Sequence, residues 1–230
     1  MTYELFIAAR TFSSWSLRGW LMFDSFGLPV KPRVLSLYGG DMLAELEELG
    51  LAPARLVPVM RTPEGHVVGE TLAMASVLTE RHPDAGLWPA DPAARAAAHW
   101  LVSEMHAGFT ALRGACPMQL LGQYQGFEVS AEVQRDLDRL DRIFAHAESQ
   151  RTTEGPWLFG TWSMADVFYA PVAARIAGYG LPVSERLAAY TAAMLAHPSF
   201  RSWRAQAMTE SFDTDPYPMP YTRAAWPAPL

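Results

Sequence analysis

The sequence predicts an α/β N-terminal domain of order β-α-β-α-β-β-α joined to an all-α C-terminal helical domain. Three observations predict it. Strand-like and helix-like segments alternate as far as residue 82. Residues 83–91, Pro-Asp-Ala-Gly-Leu-Trp-Pro-Ala-Asp, then read as a linker. From Pro92 onward apolar residues recur at helical spacing alone. The expected division is 1–82, a linker over 83–91, 92–212, and a tail over 213–230. That tail holds five prolines among 18 residues, which favours an extended course along the surface.

Each element has a local reason. Tyr3 to Ala8 is a short apolar run suited to a buried strand. Ser13-Ser14-Trp15-Ser16 offers capping hydroxyls ahead of Leu17, Trp20, Leu21 and Phe23, and Gly27-Leu28-Pro29 stops that helix. Pro32 to Leu37 reads as a second strand and Asp41 to Leu49 as a short helix. Leu56 to Arg61 and His66 to Val68 are strand-like pieces around Thr62-Pro63-Glu64-Gly65, which has Pro and Gly where a tight turn wants them. Gly69-Glu70-Thr71 opens a helix with Leu72, Ala75, Leu78 and Thr79 on one stripe, ending near His82-Pro83.

In the second half, Ala97, Trp100, Leu101, Met105, Phe109 and Leu112 predict one long helix, and Val133, Leu137, Leu140, Phe144 and Ala147 another. Ser163-Met164-Ala165-Asp166 has the form of a capping box. Pro171 falls inside the following apolar run and is expected to kink or shorten its helix. Ser184 to Leu195 and Pro198 to Met208 complete the helical set.

Composition narrows the function. The 230 residues carry 18 Lys+Arg against 24 Asp+Glu, a formal net charge of −6, which disfavours nucleic acid as a partner. Cys116 is the lone cysteine, so no intrachain disulfide or CxxC redox pair can form. No apolar run reaches the ~18 residues of a membrane span. The N-terminus does not resemble a signal peptide, and a cytoplasmic location is expected. The six histidines form no HExxH set, Gly160-Thr161-Trp162-Ser163-Met164 misses a GxSxG elbow at its last position, and no GxGxxG or P-loop pattern occurs. No metal is expected.

Four motifs, in order along nearly the whole chain, carry a family resemblance. Ser13-Ser14-Trp15-Ser16-Leu17-Arg18 resembles the Ser-Ser-Cys-x-x-Arg segment of zeta-class glutathione transferases, the maleylacetoacetate isomerases. Ala52-Pro53-Ala54-Arg55-Leu56-Val57-Pro58 resembles Asn-Pro-x-x-x-Val-Pro. Glu70-Thr71 resembles the Glu/Gln-Ser/Thr pair that starts helix three. Gly160 with Ser163 to Asp166 resembles the family's capping box. The resemblance implies a thioredoxin-like N-terminal domain, glutathione as co-substrate, a small electrophile as second substrate and a homodimer. Two departures stand out: Trp15 replaces the zeta-class cysteine, which removes thiol chemistry there, and Ala52 replaces asparagine.

Each part of glutathione then has a candidate partner. At pH 7 only about 3 % of a free thiol is ionised. A hydroxyl from Ser13, with Ser14 as the runner-up, and the start of the first helix favour the thiolate, and two pKa units of depression need about 2.7 kcal/mol. Both serines also serve simply as helix caps. By resemblance, a cis Val57-Pro58 bond exposes the backbone of Val57 to the cysteinyl unit. Glu70 accepts from the γ-glutamyl amine, while Thr71 and the helix-three amides hold its carboxylate. Arg55 is the nearest cation for the glycyl carboxylate. Trp15, Met105, Thr110 and Arg113 are candidates for the electrophile pocket, with Arg113 or Arg18 suited to a dicarboxylate. The expected function is serine-assisted glutathione transfer. Maleylacetoacetate isomerisation, or a noncatalytic binding role on the same fold, are the alternatives.

Overall fold

The computed structural model describes residues 2–35, 42–210 and 215–228. Strand β1 (Tyr3–Ile7) is the hub of a mixed sheet of order β2-β1-β3-β4, with β2 (Val30–Val34) parallel to it and β3 (Val59–Arg61) antiparallel. Strand β4 (Val67–Val68) closes a hairpin with β3. Side chains alternate across a strand. Tyr3, Leu5 and Ile7 therefore enter the main core on one face, while Phe6 enters a smaller core with Leu35, Leu46, Leu51 and Val59 on the other. Burial of both faces explains why β1 reads as an apolar run rather than an alternation.

Helices α1 (Ser14–Asp24) and α3 (Thr71–Arg81) pack on each other, and α2 (Met42–Glu48) contributes Leu46 to the smaller core. Ser36 to Asp41 fall outside the described residues, and so does the C-terminal end of the expected second strand at Leu37. A Cβ on Gly19, inside α1, would stand 2.8 Å from the Cβ and Cγ of Pro58. Glycine is thus what lets α1 lie against the turn ahead of β3.

The helical half holds α4 (Pro92–Ala107), α5 (Thr110–Ala115), α6 (Ala131–Ser149), α7 (Met164–Tyr179), α8 (Glu185–Ala196) and α9 (Pro198–Ala207). Three expectations change. The single long helix expected over Ala97–Leu112 is broken into α4 and α5. Phe109 sits at φ 58°, in left-handed space, and a Cβ on Gly108 would meet the Glu104 carbonyl at 2.8 Å. Phe109 and Leu112 are still buried, so the apolar periodicity runs across the break. Pro171 does not shorten α7, all 16 of whose residues are buried, between α1, α4 and α8. The tail does not simply lie on the surface: β6 (Arg223–Ala224) pairs antiparallel with β5 (Gln123–Tyr124), and Trp226 is buried.

The capping box at α7 is present. Asp166 accepts from the Ser163 amide at 2.9 Å, the Ser163 hydroxyl at 3.2 Å and the Leu158 amide at 3.0 Å. No helix among the described residues is long and apolar enough to cross a membrane.

Replacing Gly19 with alanine drives a methyl group into the Pro58 ring, which has no flexible end to yield. Gly19→Ala is expected to cost about 1–3 kcal/mol of stability, read as a lower Tm and urea midpoint. An unchanged midpoint would mean that α1 does not depend on this close approach.

Candidate functional site

A cleft of about 690 Å³ lies where the turn before β3, the start of α3, the first turn of α1 and the ends of α4 and α5 converge. Six of the ten site residues expected from sequence line it: Trp15, Arg55, Val57, Glu70, Thr71 and Arg113. Ser13, Ser14, Met105 and Thr110 are not part of its wall. Met105 is buried in the main core, and Thr110 is exposed at the first position of α5, beyond the helix break.

The Val57–Pro58 bond is cis, as is Ala52–Pro53. Val57 precedes the first paired residue of β3, Val59, so its backbone stands outside the sheet ladder. Glu70 occupies the N-cap position of α3 at φ 59° and makes no side-chain cap. Left-handed backbone at a non-glycine residue is uncommon and clusters at functional sites. Thr71 is 2 % exposed, and its Oγ1 is a buried hydroxyl with no hydrogen-bond partner among the described residues. A helix start whose amides lack a side-chain cap, beside an unpaired buried hydroxyl, fits a carboxylate.

Ser13 caps α1. Its hydroxyl accepts from the Ser16 amide at 3.3 Å and donates to Ser16 Oγ at 2.8 Å, and Ser16 Oγ in turn accepts from the Ala8 amide at 3.0 Å. Ser14 is half-buried next to Trp15, and its hydroxyl makes no hydrogen bond with the described residues.

The floor behind Trp15 is cationic. The Arg18 guanidinium lies 4.3 Å and that of Arg113 5.0 Å from the indole centroid. Arg18 is 1 % exposed, with Nε donating to the Phe168 carbonyl at 2.9 Å. Arg113 donates to the His106 and Gly108 carbonyls, both at 3.2 Å, satisfying backbone acceptors at the broken end of α4. Arg175 donates to the Cys116 carbonyl at 2.9 Å and the Pro171 carbonyl at 3.3 Å. Among the described residues no carboxylate pairs with any of these three. Burial, then the nearby Arg175 and Arg113, push the Arg18 pKa well below its usual value; burial and Arg113 bring Arg175 down to about 10.

Sequence reasoning missed His106, weighed there solely as a metal ligand. It lines the cleft from α4, its ring edge-on to Trp15 at 5.0 Å and its Nε2 3.7 Å from Glu70 Oε2. Its place one residue beyond Met105 was the available signal, because that position turns from the buried stripe toward the sheet domain.

Comparisons with known proteins identify the family and the fold. The glutathione S-transferase N-terminal domain model matches residues 12–81 and the C-terminal domain model residues 130–206, together well over half of the chain. The chain belongs to the glutathione S-transferase family. Within the family it is 26 % identical over 201 residues to the maleylacetoacetate isomerase of Pseudomonas aeruginosa, covering 86 % of this chain and 93 % of that protein. It is 27 % identical over 117 residues to the Dictyostelium discoideum enzyme of that name, covering 51 % of this chain and about half, 52 %, of that protein. A glutathione transferase homologue from Burkholderia, solved with bound glutathione, superposes with a TM-score of 0.66 at 21 % identity, covering 91 % of this chain and all of that one. That likeness establishes the glutathione S-transferase fold: a thioredoxin-like sheet and helix domain followed by a helical domain.

His106 generates a test of the cleft's electrostatics. Burial is the largest influence and lowers its pKa; Glu70 raises it, and Arg18 and Arg113 lower it. A histidine NMR titration is expected to place His106 below the usual 6.5, so that it is neutral at pH 7. Glu70→Gln should lower the value further and Arg113→Met should bring it back up. A shift of opposite sign in either variant would contradict this arrangement of charges.

Proposed function

We propose that this family member is a glutathione transferase that ionises glutathione beside the first turn of α1 and adds the thiolate to a small electrophile. The observation that carries the reading is the uncapped start of α3, with the unpaired Thr71 hydroxyl, in the wall of the cleft. In this reading that helix start takes the γ-glutamyl carboxylate and Glu70 takes its amine. The free backbone of Val57 pairs with the cysteinyl unit, and the exposed Arg55 meets the glycyl carboxylate. The sulfur then lies at the start of α1. The Ser14 hydroxyl, unused by the fold, favours Ser14 over the capping Ser13 as donor to the thiolate. The helix start adds its amides and dipole.

The step is nucleophilic. The thiolate forms a C–S bond to the electrophilic carbon, and a leaving group, where there is one, departs with its electron pair. Residues 1–82 serve as the glutathione domain and 92–212 supply the far wall of the cleft, with 83–91 linking them. A cytoplasmic homodimer is the expected form.

Maleylacetoacetate isomerisation is the second reading. It is favoured by the isomerase relatives and by the cationic surroundings of Trp15, which suit a dicarboxylate. There the thiolate adds to the cis double bond, the adduct rotates, and the same C–S bond breaks to return glutathione.

Glutathione binding by calorimetry, conjugation of a chromogenic aryl halide and maleylacetoacetate turnover separate these readings. Thr71→Ala is expected to weaken glutathione about tenfold, or ~1.4 kcal/mol, with little effect on the turnover of bound glutathione. Ser14→Ala is expected to lower kcat/KM at least tenfold near neutral pH while leaving affinity close to wild type. If both Ser13→Ala and Ser14→Ala kept full turnover, serine activation would be wrong. Binding with no turnover on any electrophile would point to a noncatalytic role.

A further inference from the structure

The loop between β1 and α1 is held by the far end of the chain. Arg10 is 8 % exposed. Its amide donates to Glu210 Oε2 at 2.7 Å and its guanidinium to Glu210 Oε1 at 2.5 Å. The Arg10 carbonyl accepts from the buried Trp203 indole at 3.0 Å, and the guanidinium lies 5.4 Å from the Trp203 ring centroid. The Thr11 hydroxyl donates to the Ala207 carbonyl at 3.3 Å, and Phe12 meets Tyr217 edge-on at 6.3 Å. Within the loop, the Ala9 carbonyl accepts from the amides of Phe12 and Ser13. Three successive residues ahead of Ser13 are thus tied to α9 or to the segment after it, about 200 positions away in sequence. The Arg10–Glu210 pair supplies two charge-assisted bonds with little exposed surface, which makes it the strongest of these ties.

We propose that Arg10 and Glu210 are positioning residues for thiol activation: the end of α9 fixes residues 10–13, and through them the Ser13–Ser14 hydroxyls and the first turn of α1, against the sulfur of bound glutathione. This rests on the glutathione reading above. A hydroxyl or helix end displaced by a fraction of an ångström loses much of its preference for the anion, because charge-assisted hydrogen bonds weaken steeply with distance and angle. Loosening the pair therefore acts on ionisation of the sulfur rather than on the tripeptide's peptide groups, which the other side of the cleft holds.

The test uses the full-length protein with Glu210→Gln, which keeps the shape but not the charge, and Trp203→Phe, which removes the indole donor while keeping an aromatic ring. The pKa of bound glutathione is read from thiolate ultraviolet absorbance, and affinity is read with S-hexylglutathione, which has no thiol to ionise. The thiol pKa is expected to rise by about half a unit or more in Glu210→Gln, leaving about threefold less thiolate below that pKa. It should rise in the same direction in Trp203→Phe. Aryl halide kcat/KM should fall by the same factor in mildly acidic buffer and recover in alkaline buffer, where the thiol is ionised in every variant. S-hexylglutathione should bind all three proteins equally. An unmoved thiol pKa in both variants, with a lowered Tm, would show that these ties hold the fold alone and would overturn the proposal. So would loss of S-hexylglutathione binding in the variants, since the cleft itself would then be deformed. A wild-type protein that does not bind S-hexylglutathione would instead overturn the glutathione reading, and this inference with it.

Discussion

The approach of α1 to Pro58 at Gly19 governs the geometry of the whole cleft. Strand β1 feeds α1, and the same strand pairs with β3, so the helix and the turn before β3 share a neighbour. Whether they also touch depends on the space between Gly19 and the Pro58 ring, which no side chain fills. With that contact made, the first turn of α1 faces the backbone of Val57, and α3 brings Glu70 and Thr71 to the same opening. A methyl group at position 19 would press on the Pro58 ring, itself part of the cleft wall, and separate α1 from the turn before β3.

The second constraint is electrostatic and contrasts with the whole-chain charge. The molecule carries −6, yet Arg18 and Arg113 lie against Trp15 with Arg175 close enough to repel both, all three with backbone carbonyls as their partners. Burying a charge without a counter-ion is unfavourable unless hydrogen bonds replace the lost water. Here carbonyls from α1, α4, α7 and the end of α5 do so. They satisfy the guanidinium donors while leaving the positive charge uncancelled. Net charge therefore speaks to bulk behaviour, and the local arrangement of donors and acceptors sets what the cleft attracts.

Much of this was legible in the sequence, and the omissions have physical causes. Thr71–Arg81 and Ala131–Ser149 were readable because burial of one face imposes a period that the residues must follow, and Tyr3–Ile7 because burial of both faces leaves a continuous apolar run. The capping box at Ser163 was readable because two short-range hydrogen bonds fix its spacing. The α4–α5 break was not, since Phe109 and Leu112 keep the apolar rhythm while the backbone turns at Gly108. The pairing of the tail with Gln123–Tyr124 was hidden because two residues per strand carry no pattern. Of the helical candidates for the electrophile pocket, Met105 belongs to the buried stripe of α4, while Thr110 and Arg113 fall beyond the break, in α5, and Arg113 alone of the three lines the cleft. A ligand-facing residue belongs at the stripe's margin, where His106 lies, while Met105 packs into the core. Three of the four motifs located one wall of the cleft, because they sit within the sheet domain; the fourth, at Ser163, lies in the helical half away from the cleft, and the opposite wall comes from helices whose facing residues depend on how the two halves pack.

Trp15 shows what the departure from the zeta motif does physically. A cysteine at that position would bring a second sulfur to the start of α1. The indole instead lies against two guanidinium groups and an imidazole edge, each at 5.0 Å or less. Aromatic faces attract cations, so the ring and the arginines steady one another without a carboxylate. The substitution exchanges a reactive group for a rigid, electron-rich wall, and it leaves no thiol of the protein's own at the helix start. Any stabilisation of an anionic sulfur there must come from hydroxyls, amides and the surrounding positive charge. That is why the placement of the loop ahead of α1, fixed in part by Glu210 from the far end of the chain, bears directly on the proposed chemistry.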